Sequence, residues 1–142
     1  MKVFIWRNEK GETEVAFEKF PNVPETAQEF DVESLDWIMF DEALGEFRVK
    51  TEDEKLQELK SQKLSELKTY VESLLAPTDY IVTKIAEAQI QNNIAEVEAL
   101  MQKYATQLQR REAIRQWSKQ MKQAIRDAKT LEELRSIEIR YD

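Results

Sequence analysis

The pattern of apolar and polar residues divides the chain into two parts. In residues 1–50 the apolar positions form short runs at 3–6 and 37–40 and alternate with Arg48 at 47–49, and turn-forming residues separate these segments. Short runs rich in β-branched and aromatic residues predict strands. We therefore predict a small antiparallel β unit. In it, the first run pairs with "TEVAFEKF", and the other two form a second hairpin with Gly45 in its turn.

The segment "PNVPETAQEF" between the two predicted hairpins reads as a loop. Pro21 and Pro24 fix their own backbone angles and donate no hydrogen bond, which disfavours a strand. All six phenylalanines and two of the three tryptophans lie in residues 1–50. Large aromatic side chains in a small unit predict a compact aromatic core, with an aromatic ligand site as the alternative.

From Thr51 onward the apolar residues recur three and four positions apart, as in amphipathic helices. Three predicted helix starts carry a capping-box pattern, at "TEDE", "NNIAE" and "TLEE". Pro77 interrupts the first pattern, so residues 76–80 are predicted to form a joint in which Thr78 or Asp79 caps a second helix. The predicted fold class is α+β, a β unit over 1–50 followed by antiparallel or coiled-coil-like helices over 51–142.

The predicted helices carry one apolar seam with the spacing of a helical bundle core. Its members are Leu64, Leu67, Val71, Leu74, Ile94, Val97, Met101 and Tyr104. The last residues, "IEIRY", alternate as a strand does and predict pairing with the N-terminal sheet.

A second apolar stripe lies on the longest predicted helix, which begins at "NNIAE". A six-residue step from Leu108 to Ile114 puts it out of phase with the seam, so the helix is predicted to break or change neighbours near Arg110 and Arg111. Because one neighbour cannot cover both faces, we predict that residues 114–128 stay exposed and form an interface, either in a homo-oligomer or with a partner. The apolar interface candidates are Ile114, Trp117, Met121 and Ile125.

Basic residues follow one face of the same helix, although the chain has a net charge of −7. They recur three or four positions apart. The row comprises Arg111, Arg115, Lys119, Lys122, Arg126 and Lys129. A regulatory nucleic-acid-binding protein that tracks phosphates with residues 111–129 is one interpretation. Pairing with an acidic partner, or with the chain's own acidic surface, is the other, and the acidic total favours it.

The chain has no cysteine and no histidine, and only two glycines. The usual nucleophiles, general bases and metal ligands are therefore missing, and no phosphate-binding loop is present. We predict a non-enzyme with no catalytic residue, cofactor or metal. The acidic residues Asp31, Glu33, Asp36, Asp41 and Glu42 leave a carboxylate hydrolase or a cation site as alternatives, but they match no EF-hand spacing, and a charged hairpin edge explains them equally.

The stretch "LLAPTDYIVTKIAEA", residues 74–88, carries a family resemblance. It resembles the Leu-x-x-Thr-Asp-aromatic-x-Val-x-Lys/Arg-x-x-Glu segment of phage and prophage tail-associated proteins, often described as tail fibre assembly proteins. "WIMFDEALGEFRVKTEDEKLQELK" is similar to their aromatic hairpin that runs into a charged helix, so the resemblance spans residues 37–115. Thr78, Asp79 and Tyr80 are its most specific match, and for them it implies a structural joint.

This resemblance implies a function in protein–protein interaction, as a bacteriophage assembly chaperone or a minor tail component. The implied partner is a phage tail or tail fibre protein, and the implied location is the bacterial host cytoplasm or the virion tail. No apolar run is long enough to span a membrane, and the first residues lack the apolar stretch of a secretory signal, so we expect neither a membrane partner nor export.

Overall fold

The computed structural model describes residues 1–142 and has the predicted α+β fold. The chain divides into two units, Met1–Lys55 and Leu56–Asp142. All five strands belong to the first unit, and nearly all of the helical residues belong to the second. None of the helices combines the length and the apolar content that a membrane span requires.

A three-stranded antiparallel sheet in the first unit has β1 (Lys2–Arg7) at its centre, between β2 (Thr13–Ala16) and β3 (Gln28–Asp31). The β1–β2 hairpin confirms the first predicted pairing. β3 was missed, because its segment was predicted to be part of a loop. Its few apolar residues give no local strand signal, and its pairing with β1, where Phe30 lies opposite Val3, is a long-range contact.

The second predicted hairpin is confirmed as β4 (Ile38–Asp41) and β5 (Glu46–Val49). Gly45 in its turn has a φ of 69°, a left-handed conformation that glycine adopts without steric cost. Trp37 is not part of the strand but ends a single 3-10 turn.

The helices are α1 (Glu52–Leu75), α2 (Asp79–Ile90), α3 (Ile94–Lys103), α4 (Ala105–Asp127) and α5 (Leu131–Ser136). The caps predicted at the starts of α1, α3 and α5 are present. Before α1 the exchange is reciprocal, since Thr51 Oγ1 accepts from the Glu54 amide at 3.2 Å and the Glu54 carboxylate accepts from the Thr51 amide at 2.9 Å. The Asn93 side chain caps α3 by accepting a hydrogen bond from the Glu96 amide, and the Thr130 hydroxyl caps α5 by accepting one from the Glu133 amide.

A tight reversal connects α2 to α3. Asn92 has a φ of 55°, its amide donates to the Gln89 carbonyl at 3.0 Å, and the Asn93 amide donates to the Ala88 carbonyl at 2.9 Å. These two bonds are a Schellman motif, which ends α2. Because Asn93 also caps α3, the two helices follow each other with almost no loop.

The longest predicted helix is two helices, α3 and α4. The interruption lies at Tyr104, whose backbone leaves the helical region at φ −109° and ψ 22°, rather than near Arg110 and Arg111. The buried Tyr104 ring belongs to the core cluster that α3 forms with α2, and it contacts Tyr80 edge to face at 5.8 Å between ring centroids.

Two separate apolar clusters replace the single predicted seam in the second unit. Cluster 1 joins α1, α4 and α5 through Leu56, Leu67, Ile125, Ala128 and Leu134. Cluster 2 joins α2 and α3 through Ile81, Ala88, Leu100 and Tyr104. The predicted seam residues Ile94 and Met101 are 73% and 52% exposed, because α3 packs on α2 through a face centred on Leu100, which the seam did not include, together with the seam residues Val97 and Tyr104.

The chain end is not a strand, contrary to prediction. Residues 137–142 are irregular, and Ile137 and Ile139 pack against cluster 1. Two hydrogen bonds hold this segment against α1: Lys63 Nζ donates to the Ile137 carbonyl at 2.6 Å, and the Tyr141 amide donates to the Tyr70 hydroxyl at 3.0 Å. The alternating apolar residues are therefore used for packing on helices rather than for strand pairing.

Candidate interaction surfaces

The joint between α1 and α2 is a single 3-10 turn, Ala76–Thr78, so the chain bends there with almost no interruption. Neither Thr78 nor Asp79 makes the predicted side-chain cap of α2. The Thr78 hydroxyl instead donates back to the Leu75 carbonyl at 3.1 Å. The prediction of a helix–joint–helix arrangement is confirmed, and the predicted mechanism of capping is wrong.

Arg111 of α4 completes this joint. Its Nη1 donates to the Leu75 carbonyl at 2.9 Å, to Thr78 Oγ1 at 2.8 Å and to Asp79 Oδ1 at 3.0 Å. A positive charge at the C-terminal end of α1 is electrostatically favourable, as is the negative charge of Asp79 at the start of α2. Arg111 is buried, so it does not belong to the exposed basic face on which the sequence analysis placed it.

The spacing of Arg111 was a signal that sequence reasoning could have used. It lies halfway along the six-residue step from Leu108 to Ile114, at three-residue intervals from each. A charged residue at a position that continues an apolar stripe is a candidate for a buried, paired charge. The apolar stripe therefore continues through the six-residue step, with Arg111 in the place of an apolar residue.

Tyr80, the third residue of the joint, is 49% exposed. Its ring lies perpendicular to the buried ring of Tyr104, with Lys84 Nζ near both rings at 5.5 and 6.0 Å from the centroids. Tyr80 therefore packs across the start of α2 onto the α3–α4 interruption.

The apolar stripe predicted as an interface is covered by the chain itself. Ile114 and Ile125 are fully buried, and Met121 packs against cluster 1. Trp117 lies between the rings of Tyr70 and Tyr141, at centroid distances of 5.8 and 5.3 Å. The prediction of exposure is wrong, because the irregular residues after α5 add three apolar side chains to those of α5. The predicted homo-oligomer therefore has no support from this stripe.

The remaining basic residues of α4 are exposed as predicted. Arg115, Lys119, Lys122 and Arg126 lie on one side of the helix, and none of them forms an ion pair within the chain. Glu52 and Glu54 of α1 do not pair with them, since Glu52 binds Lys55 and Glu54 binds Arg48. We call these four residues the cation row.

An exposed aromatic surface on the first unit was not predicted. Phe17 and Phe20 are 57% and 49% exposed, next to the exposed Val15 at the end of β2. Together with the buried Trp6 they line a shallow groove of about 600 Å³. Only some of the aromatic side chains of residues 1–50 therefore belong to the predicted core, and Phe17 and Phe20 face solvent.

The acidic residues of the first unit do not converge. Asp31 binds the N-terminal amine at 3.0 Å, and Glu42 lies 3.5 Å from Arg7. No group of three acidic residues is placed to hold a metal ion.

Arg48 binds two carboxylates of the first unit, Asp41 at 2.8 Å and Glu54 at 2.6 Å. The Arg48 hydrogen bond lowers the pKa of Asp41, with help from the Leu44 amide. The same guanidinium, together with the Thr51 amide, lowers the pKa of Glu54 to about 2. Both carboxylates therefore serve to anchor the β4–β5 hairpin and the start of α1.

Comparison of the chain with models of protein families, with curated proteins and with solved structures finds no match.

Proposed function

We propose that this chain is a non-enzymatic, tail-associated protein of a bacteriophage or prophage. It acts by protein–protein contact, as an assembly chaperone or a minor tail component, in the host cytoplasm or the virion tail. The partner is a phage tail or tail fibre protein with an acidic surface. The resemblance of residues 37–115 to tail fibre assembly proteins supports the class of partner.

The proposed binding role rests on the cation row. Four exposed cations on one helix face have no ion pair, in a chain whose net charge is −7. The row runs from residue 115 to residue 126, about 16 Å along a helix at 1.5 Å per residue. An acidic partner surface of this length would be attracted to the row and oriented by it.

The row is held by a rigid support. Ile114 and Ile125, each next in sequence to an arginine of the row, are buried and hold α4 in the core, and Arg111 ties the N-terminal half of α4 to the joint between α1 and α2. A binding surface on an ordered helix loses less conformational freedom on association than one on a loop. Thr78, Asp79 and Tyr80, the most specific match in the family resemblance, lie in this joint. The resemblance therefore includes residues that help to hold the cation row in place.

A regulatory nucleic-acid-binding protein is the second candidate, and the same row is the observation that favours it. Lysine and arginine along one helix face can follow a phosphate backbone. The acidic remainder of the chain would be repelled by the same polyanion, which is why we favour a protein partner.

Binding assays with a matched pair of charge reversals test the proposal. We would co-express the chain with the tail and tail fibre proteins of its own genome and measure affinity for those that co-purify. The double variant Lys119→Glu/Lys122→Glu should bind about tenfold more weakly or worse, since rim charges steer and orient association. The control Lys10→Glu/Lys68→Glu has the same net charge, changes exposed lysines elsewhere, and should bind as the wild type does.

A DNA duplex is the competing probe. If the wild type binds duplex DNA with an affinity that falls steeply with salt, and binds none of the tail proteins, the nucleic-acid function replaces the proposed one. Equal loss of binding in both double variants would contradict a specific role for the cation row.

A further inference from the structure

We propose that the β2 edge of the sheet is a second docking site, which accepts an extended segment of a partner protein as an additional antiparallel strand. The sheet order β2–β1–β3 leaves two edges. An unpaired edge presents backbone donors and acceptors to any chain that can align with it. The two edges differ in how well they are protected.

The hydrogen-bonding pattern identifies the backbone groups that face outward on β2. The Asn8 amide donates to the Glu12 carbonyl at 2.9 Å, and Arg7 lies opposite Thr13 in the register. Hydrogen-bonded and non-hydrogen-bonded pairs alternate along an antiparallel ladder. Glu14 and Ala16 therefore bond to β1, whereas Thr13 and Val15 direct their amides and carbonyls away from the sheet.

The same reasoning applies to β3. The Val32 amide donates to the Met1 carbonyl at 2.9 Å, so the residues of β3 that face outward are Glu29 and Asp31. Charged residues at outward positions oppose the addition of a strand. Thr13 and Val15 carry no charge, and β2 contains no proline or lysine. Glu14 is charged, but its backbone groups bond to β1, so the β2 edge is the less protected of the two.

The side chains beside β2 supply an apolar contact surface. Val15, Phe17 and Phe20 are each more than a third exposed, and with Trp6 they line the groove described above. Main-chain hydrogen bonds give affinity in strand addition, while pockets for alternate side chains give specificity. A partner segment with alternating apolar residues would place them over these rings.

Charge decides between a second copy of the chain and a different partner. Glu14 and Glu18 line the groove with these apolar residues, and Glu12 directly precedes β2. If two copies paired β2 to β2 about a two-fold axis through Val15, Glu12 would lie opposite Glu18 of the other copy, and like charges directly opposite are destabilising. The occupant we infer is therefore a segment of another protein, with apolar residues flanked by lysine or arginine.

Hydrogen exchange with synthetic peptides tests this inference. The probe is a peptide of alternating valine and threonine with two lysines at each end, and the matched peptide has glutamates in place of the lysines. The lysine-flanked peptide should slow exchange of the Thr13 and Val15 amides by about tenfold or more, because edge amides become hydrogen-bonded on pairing. The glutamate-flanked peptide should leave both rates unchanged.

The variant Val15→Pro removes one outward amide and no hydrogen bond to β1, so the sheet should remain folded and peptide binding should be lost. Val15→Thr keeps the amide and should still bind. The proposal would be overturned if millimolar peptide gave no protection, or if peptide binding survived Val15→Pro. Unfolding of the Val15→Pro variant would also overturn it. So would self-association of the wild type that Val15→Pro abolishes, because the occupant would then be a second copy of the chain. The Lys119→Glu/Lys122→Glu variant should bind the peptide normally, which separates this site from the cation row.

Discussion

The guanidinium of Arg111 and the carboxylate of Asp79, 32 residues apart in sequence, form an ion pair of 3.0 Å. The two partners are unequally buried, since the Arg111 side chain is 7% exposed and that of Asp79 is 63% exposed. A buried charge that loses its partner is costly, whereas an exposed carboxylate remains hydrated. The joint therefore depends on α4, which lies far along the chain from it.

The first prediction concerns coupling between these two residues. Asp79→Ala should destabilise the protein by about 1–2 kcal/mol, because Arg111 loses a charged acceptor while it stays buried. In an Arg111→Met background the same change should cost much less. The coupling energy in the double-mutant cycle should be about 1 kcal/mol or more, measured by urea denaturation.

The control for this cycle is Lys119→Met, an exposed change on the same helix, which should show no coupling to Asp79. If Asp79→Ala costs the same with and without Arg111, the role of Asp79 is local to the start of α2. In that case the ion pair with Arg111 would contribute nothing to the stability of the joint.

Acid pH should weaken the anchor between the β4–β5 hairpin and α1. The pKa of Glu54 is lowered from 4.5 to about 2, first by the hydrogen bond from Arg48. A carboxylate with a lowered folded-state pKa contributes stability that is fully present above its ordinary pKa and is lost as pH falls through the folded value. The wild type should therefore lose thermal stability between pH 4.5 and about 2 more steeply than Glu54→Gln.

Thermal melts across this pH range provide the measurement. The matched variant is Glu98→Gln, which changes an exposed carboxylate of α3 and should follow the wild-type profile. Parallel profiles for the wild type and Glu54→Gln would show that the contacts of Glu54 do not stabilise the folded state.

The irregular chain end should keep Trp117 out of water. In a Trp6→Phe/Trp37→Phe background, Tyr141→Ala should shift the Trp117 emission to longer wavelength, because one of its two ring neighbours is removed. The stability loss should be about 0.5–1.5 kcal/mol, the usual contribution of an aromatic pair beyond area burial. Phe20→Ala, an exposed aromatic elsewhere, should leave the emission unchanged.

Sedimentation complements this fluorescence experiment. Trp117→Ala should lower stability without changing the sedimentation coefficient of the folded protein, since Trp117 packs within its own chain. A wild-type oligomer that dissociates on Trp117→Ala would instead restore the interface predicted from the sequence.

The reversal between α2 and α3 should tolerate glycine at only one of its positions. Asn92 has a positive φ, so Asn92→Gly should raise stability slightly and Asn92→Ala should lower it by about 1 kcal/mol. Gln91 has a φ of −81°, so Gln91→Gly should only lower stability. Chemical denaturation of the three variants gives the comparison, and a gain from Gln91→Gly would contradict it.

The sequence by itself determined the elements whose causes are local. Thr51, Asn93 and Thr130 could be identified as caps because capping requires only a side-chain oxygen and an amide three residues onward. The β4–β5 hairpin followed in the same way from two short apolar runs and Gly45. The order of the two units and the α+β class rest on such local patterns.

Only the tertiary structure decided which residue of a pattern is buried and what covers it. Arg111 fits the periodicity of a basic face, and it is buried because the end of α1 and the start of α2 offer it three acceptors. Residues 137–142 alternate like a strand and pack on helices because cluster 1 lacks cover there. Whether a residue is buried or paired depends on both of the surfaces that meet in the fold. The periodicity of the sequence describes only one of those two surfaces.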